Sequence, residues 1–360
     1  MKKKICFIIP SLGGGGAEKV ALNLLNNLNL DKYELHIILT LKEGEYINQL
    51  RSEVKVYILN KLKVRNAILE IIKRIKKIKP DIVLTFTTHL NIIVGICIAP
   101  FFKKKIKFIS REINILSEVK LNFIRKLLLK IAYKNSIKII SQSNDMSYDL
   151  KSYLNIESKK IDQIPNFIDC IKIDQNLKSI NNTKISTFKN ILCVGRLEKQ
   201  KGFDLLIRSF SKIEQCNYML NIVGKGSEEE SLKKLCVKYK IEDKVKFLGF
   251  KENPYINMKN ADLFILSSRY EGFPNVLLEA GYCGLYSIVN NCKGGIKEII
   301  NNDVIGEVID ITNSKELEQA LIKFEQKKIE RNKISKIIEE RYSSKNIVSK
   351  YENIFDKISF

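Results

Sequence analysis

Tryptophan is absent from this chain of 360 residues, and histidine occurs only twice, at His36 and His89. Without tryptophan, and with few basic residues interleaved with aromatics, the chain lacks the stacking platforms of a single-strand nucleic-acid binder. No recognisable nucleic-acid-binding module compensates. None of the eight cysteines forms a C-x-x-C pair, which removes a zinc or disulfide framework. Cys6 and Cys193 fall inside apolar runs and read as small buried hydrophobes in a reducing compartment, so a cytoplasmic location is expected. A long apolar segment is missing as well. The longest, Ile92 to Phe102, has eleven residues and contains Gly95 and Pro100, too short to cross a bilayer. The basic start before Lys4–Ile9 lacks the apolar length and cleavage site of a signal peptide.

What is present in excess is positive charge, and it is uneven. The formal net charge is +22. Residues 1–189 hold 34 Lys and Arg against 16 Asp and Glu, and residues 190–360 hold 28 against 24. Between Lys55 and Lys138 there are 20 basic and 4 acidic side chains. A Lys-rich genome would bias both halves, so a one-sided field points to an anionic partner.

Strand-like apolar runs alternate with helical periods in both halves. The first half offers Lys4–Ile9, Glu34–Thr40, Val54–Leu59, Asp81–Phe86, Ile106–Ser110 and Ile137–Ser141, with an amphipathic helix over Val64–Ile78. The second offers Asn190–Val194, Tyr218–Val223, Val245–Leu248, Leu263–Leu266, Tyr286–Asn290 and Glu307–Ile309, then helices from Thr312. The polar stretch Ile171–Lys189 reads as a linker. The expected fold is α/β: two Rossmann-like, doubly wound domains facing across a cleft. The first spans 1–170 and the second 171–360, with the last helix, about 344–360, packing back on the first.

Three motifs carry chemistry. The loop from Ser11 through Gly13-Gly14-Gly15-Gly16 to Glu18 follows the first strand and opens a helix. Its glycines allow close backbone approach to a ligand, but Glu18 stands where a dinucleotide fingerprint needs its third glycine. In the second motif, Gly195-Arg196 through Lys201-Gly202, two cations five residues apart can converge on one diphosphate. The third runs Glu271-Gly272-Phe273-Pro274-Asn275-Val276-Leu277-Leu278-Glu279. A helix starting near Asn275 would aim its first N–H groups at an anion, and Glu279, enclosed by apolar neighbours, needs a partner.

In this order and spacing, the motifs resemble glycosyltransferase family 4, whose members are retaining enzymes of the GT-B fold. Further matching segments are Ile164-Pro165-Asn166, Gly224-Lys225-Gly226, Phe247-Leu248-Gly249 and Gly294-Gly295 with Glu298. The nearest subgroup is the bacterial enzymes that extend polyprenyl-diphosphate-linked oligosaccharides, including those adding N-acetylgalactosamine. The resemblance implies transfer of a hexose or N-acetylhexosamine from a UDP-sugar to a lipid-linked glycan, without cofactor or metal. The absence of any Asp-x-Asp agrees with that. It makes Arg196 and Lys201 the diphosphate ligands, puts Glu271 at the transferred sugar and Glu279 at the ribose, and surrounds the donor with Gly15, Gly16, Gly195, Gly224, Gly272 and the Phe273–Val276 backbone. Where many relatives carry a histidine after the fifth strand, this chain has Arg111 and Glu112. His89 is the nearby alternative, and Glu18 and Arg111 are expected on the acceptor side.

The segment Ser117–Ser136 carries Leu121, Ile124, Leu128 and Ile131 at helical spacing beside Lys120, Arg125, Lys126 and Lys130. A basic amphipathic helix of this kind suits the anionic inner leaflet of the membrane, giving a peripheral location on its cytoplasmic face. The same helix could instead pack its apolar residues on the sheet. The alternatives to a transferase are a basic nucleic-acid-binding protein or a catalytically silent homologue of this fold.

Overall fold

A computed structural model describes residues 2–358 except 42–43, 45, 62, 120, 179–188 and 214–216. The chain divides into two units, Met1–Phe167 with Ser344–Phe360, and Ile168–Ser343.

In the first unit, short runs rich in Ile, Leu and Val form a wholly parallel sheet whose central strands are buried on both faces, as βαβ crossovers require. Its strands are β1 (Lys3–Ile9), β2 (Tyr33–Leu39), β3 (Lys55–Ile58), β4 (Ile82–Thr85), β5 (Lys107–Arg111), β6 (Lys138–Ser141) and β7 (Ile161–Gln163), in the order 3-2-1-4-5-6-7. Six were legible in the sequence. The edge strand β7 has three residues and too little pattern to be read. Strand order reverses between β1 and β4, which register from Ile5 opposite Ile82 to Ile8 opposite Thr85. The Gly-rich loop therefore leaves at the switch point, where such sheets bind ligands. The terminal helix Ser344–Lys357 buries Ile347, Val348, Tyr351 and Phe355 in this core. Lys3 Nζ donates to the carbonyls of Phe355 (2.8 Å) and Ile358 (3.1 Å), a cation at the negative end of that helix.

The second unit repeats the plan with β8 (Lys189–Val194), β9 (Tyr218–Val223), β10 (Val245–Phe247), β11 (Leu263–Leu266), β12 (Tyr286–Asn290) and β13 (Gly306–Ile309), ordered 10-9-8-11-12-13. The switch point here lies between β8 and β11. Much of the supposed linker folds: Cys170–Lys178 is a helix, and Cys170, Ile173 and Leu177 at helical spacing pack into the second core. Three apolar positions gave too weak a period to see alone, and a neighbouring surface supplied the rest. The Asn181-Asn182-Thr183 part lies outside the described residues. Burial raises the thiol pKa of Cys6 and Cys193, as suits inert core residues.

Candidate active site

The second unit's candidate site is built from the loops that leave β8 and β11 on either side of its switch point. Gly202 ends the first loop with φ +65°, and a Cβ there would lie 2.1 Å from the Ser267 carbonyl oxygen. Only glycine lets the two loops touch. Ser267 Oγ then donates to the Lys201 carbonyl at 2.8 Å, and the Arg269 N–H donates to Gln200 at 2.8 Å. Arg269 also forks onto Asp204, at 2.7 and 2.8 Å, and reaches the Lys199 carbonyl at 2.7 Å. Burial alone would raise the Asp204 pKa, but the Arg269 guanidinium and the Lys199 ammonium together outweigh it and hold the carboxyl below its ordinary value. The two loops thus form one braced platform.

At its centre Lys201 Nζ meets Glu271 Oε1 at 2.5 Å, and Ser268 Oγ donates to the same oxygen at 2.6 Å. The Lys201 side chain is 16% exposed and that of Glu271 8%, so the pair is largely withdrawn from water. Below it, Gly294 has φ +128°, and a Cβ would fall 1.8 Å from the Glu271 carbonyl. The Glu271 N–H in turn donates to Lys293 at 3.1 Å. Asn290 bridges the platform to its neighbour, donating to the Ser268 carbonyl at 2.9 Å while accepting from the Ile311 N–H at 3.1 Å.

Arg196 differs from Lys201. It is exposed and has no ion pair or side-chain hydrogen bond among the described residues. An unpaired guanidinium and a paired ammonium thus flank the same loop. Gly195 hangs from β9 by donating to Val223 (3.0 Å), and Gly224 donates to Gly249 (2.9 Å). The helix Asn275–Tyr282 starts after Gly272, Phe273 and Pro274 with no side chain capping it. Phe273 is buried edge-on against Tyr342, centroids 5.6 Å apart. Val276 stays partly exposed, whereas Glu279, one turn further, is buried at 5% exposure. The sequence reading missed Ser268, Arg269, Asp204 and Asn290. Two serines directly after an apolar strand at a ligand edge were the available signal.

In the first unit, Glu112 is fully buried. Its oxygens accept from Thr88 Oγ1 (2.6 Å), Tyr133 Oη (2.5 Å) and the N–H groups of Ile113 (2.8 Å) and Asn114 (3.1 Å). Burial nevertheless raises its pKa, the hydrogen bonds offsetting part of the effect. With its lone pairs so committed, Glu112 braces the loop after β5 and is not presented to a reactant. Arg111, expected to be an accessible acceptor ligand, is 1% exposed, donates to Asn166 and lies over the Phe86 ring. His89 is exposed on the helix Thr88–Ile93. Glu18 turns back to accept from the Gly15 N–H (2.9 Å) and Ser11 Oγ (2.8 Å), so its carboxylate braces the turn that opens the helix Gly16–Asn27. Gly15 and Gly16 remain exposed.

Two doubly wound units, one with a cation-rich loop pair at its switch point, are the architecture of a GT-B glycosyltransferase. Comparison with known proteins agrees. The family model described as "Glycosyltransferase Family 4" matches residues 14–172, and that described as "Glycosyl transferases group 1" matches residues 174–341. The chain is 30% identical over 335 residues to the N-acetylgalactosamine-N,N'-diacetylbacillosaminyl-diphospho-undecaprenol 4-alpha-N-acetylgalactosaminyltransferase of Campylobacter jejuni, covering 89% of each chain. It is 27% identical to a second alpha-1,4-N-acetyl-D-galactosaminyltransferase of that organism, which acts on a GalNAc-bearing diNAcBac-PP-undecaprenol, over 88% of this chain and 89% of the other. Among solved structures, Anabaena HepE in complex with UDP and glucose superposes with a TM-score of 0.82 at 17% identity, covering 99% of this chain and 100% of that one. The chain belongs to glycosyltransferase family 4.

Proposed function

We propose that this glycosyltransferase moves a hexose or N-acetylhexosamine from a UDP-sugar to a hydroxyl of a polyprenyl-diphosphate-linked glycan, with retention of anomeric configuration and without a metal or other cofactor. The observation that carries the donor reading is the braced platform holding Lys201 against Glu271 beside the unpaired Arg196. When a sugar C1–O bond breaks, charge develops on the departing diphosphate. Arg196 offers a fork of donors and Lys201 a point charge for that oxygen, and both stand in place before reaction. Glu271, tethered by Ser268, orients the Lys201 ammonium and lies where a hydroxyl of the transferred sugar can reach it. Glu279 accepts the ribose hydroxyls. The Asn275–Tyr282 helix adds the positive end of its dipole.

The acceptor reading rests on the Campylobacter relatives, whose names specify undecaprenol-diphosphate glycans. UDP as the carrier is supported by the complex formed by the Anabaena neighbour. Among the described residues no helix is long and apolar enough to cross a membrane. We place the enzyme peripherally, on the cytoplasmic face, with the basic side of the first unit toward anionic headgroups.

The test is direct. Purified protein is incubated with UDP-, GDP- and ADP-linked sugars and short polyprenyl-diphosphate glycans in detergent, with and without excess EDTA. UDP release coupled to an α-linked product, unchanged by EDTA, is expected. Preference for another nucleotide, a β-linked product from an α-donor, or activity lost on chelation and restored by Mn²⁺ would each overturn the corresponding part.

A further inference from the structure

The helix Phe123–Lys134 has two apolar faces, and among the described residues only one has a packing role. Its inner face buries Leu129, Ala132 and Tyr133 in the first unit. The contact is close: a Cβ on Gly95 would lie 2.6 Å from that of Ala132, and Asn135 Nδ2 donates to the Gly95 carbonyl at 2.9 Å. Both ends are tied. Asn122 caps the start by accepting from the Arg125 N–H (2.9 Å). Lys160 Nζ donates to the carbonyls of Tyr133 (3.2 Å), Lys134 (2.9 Å) and Ser136 (3.1 Å) at the end.

The outer face is unexpected. Phe123 is 80% exposed, Ile124 66%, Leu127 48% and Ile131 39%. At about 100° per residue these four fall within one arc of roughly 100°, opposite the buried face. The sequence reading had put Leu121, Ile124, Leu128 and Ile131 on a single face. In the structure Leu121 and Leu128 are partly buried, and Phe123 and Leu127 take their place outside. Lys126 also turns inward, its ammonium 3.9 Å from the Tyr153 ring centroid, and Lys120 lies outside the described residues. By the same helical angle Lys130 borders the exposed stripe and Lys134 continues it at the C-terminal end of the helix. A neighbouring short helix, Ala99–Phe102, exposes Phe101 at 76% and is followed by the exposed Lys103, Lys104 and Lys105.

Single exposed hydrophobes need no explanation, but a stripe of large ones on a pinned helix does. Lysines bordering it select the occupant: a water–lipid boundary with anionic headgroups satisfies both chemistries at once. We infer that this stripe inserts into the acyl boundary of an anionic bilayer, with Phe123, Ile124 and Leu127 as the penetrating side chains. The inference rests on the lipid-linked acceptor reading and adds to it a hydrophobic mode of attachment, distinct from charge adsorption.

The absence of tryptophan provides a clean probe, because a Phe123→Trp variant carries the only indole in the protein. With vesicles of phosphatidylethanolamine and phosphatidylglycerol, its emission should shift to the blue and be quenched by lipids brominated on the acyl chain. The Phe123→Ser/Ile124→Ser/Leu127→Ser variant changes only exposed side chains. It should lose vesicle affinity by roughly three orders of magnitude, since each buried side chain of this size contributes about a tenfold effect or more. Turnover of a short, detergent-soluble acceptor should be retained. Wild-type binding should survive in part at about 0.5 M salt, where surface charge is screened within a few ångströms. Unshifted emission with full co-sedimentation, or equal vesicle binding by the serine variant, overturns insertion. So does a stable dimer in solution that fails to bind vesicles, which would make a second copy the occupant. Blue-shifted emission from a protein that turns over no nucleotide sugar would instead fault the function and leave insertion standing.

Discussion

Replacing Lys201 by methionine separates what the Lys201–Glu271 pair does for the fold from what it does for the reaction. The side chain keeps its length and apolar packing but loses the charge. Glu271, with 8% of its side chain exposed, is left with Ser268 as the donor on Oε1. Stranding one member of a fully buried pair costs about 3–5 kcal/mol. Lys201 retains some exposure and Ser268 remains, so about 2 kcal/mol is expected here. For a unit of this size that lowers the midpoint of its thermal transition by roughly 4–8 °C. The same change removes a preorganised cation from the departing diphosphate, worth about 3–4 kcal/mol, or a loss of turnover of roughly 10²–10³-fold. The double variant Lys201→Met/Glu271→Gln removes both charges, and its stability should return to near that of the wild type while turnover stays low. Calorimetry and initial rates of UDP release read the two effects separately. Wild-type turnover in Lys201→Met would refute the catalytic assignment. A double variant as unstable as the single one would refute the pairing argument.

Arg196→Ala should lower turnover by a similar factor with no change in melting temperature, because the side chain is exposed and unpaired; a shifted melting point would reveal a structural role. Glu112→Ala leaves the buried Tyr133 hydroxyl and two half-buried N–H groups without this acceptor and should destabilise the first unit by about 3 kcal/mol, seen as a lower denaturation midpoint. The Asp204 pKa lies below its ordinary 3.8. Its ion pair with Arg269 is therefore fully stabilising above that value and lost as pH falls through the lowered one. Asp204→Asn should flatten the acid limb of the second unit's stability curve, and an unchanged limb in urea titrations between about pH 2 and 5 would contradict this.

Much of this enzyme was legible in one dimension. Central strands such as Leu263–Leu266 and Tyr286–Asn290 are short β-branched and leucine-rich runs buried on both faces, and local composition is enough to mark them. The motifs at Arg196, Lys201 and Glu271 were visible because charge and glycine at the carboxyl ends of such strands have few structural uses. What the sequence could not decide was partnership. Helical spacing placed apolar residues on the Phe123–Lys134 helix, but which face turns inward depended on Gly95 and Ala132 meeting across chain segments far apart in sequence. Glu112 and Glu271 are both glutamates just past a strand. Tertiary packing gave one a closed set of four donors and made it a brace, and set the other against a lysine seventy residues away. Local pattern is written by the backbone's own periodicities, whereas the role of a charge is set by what the fold brings within hydrogen-bond reach of it.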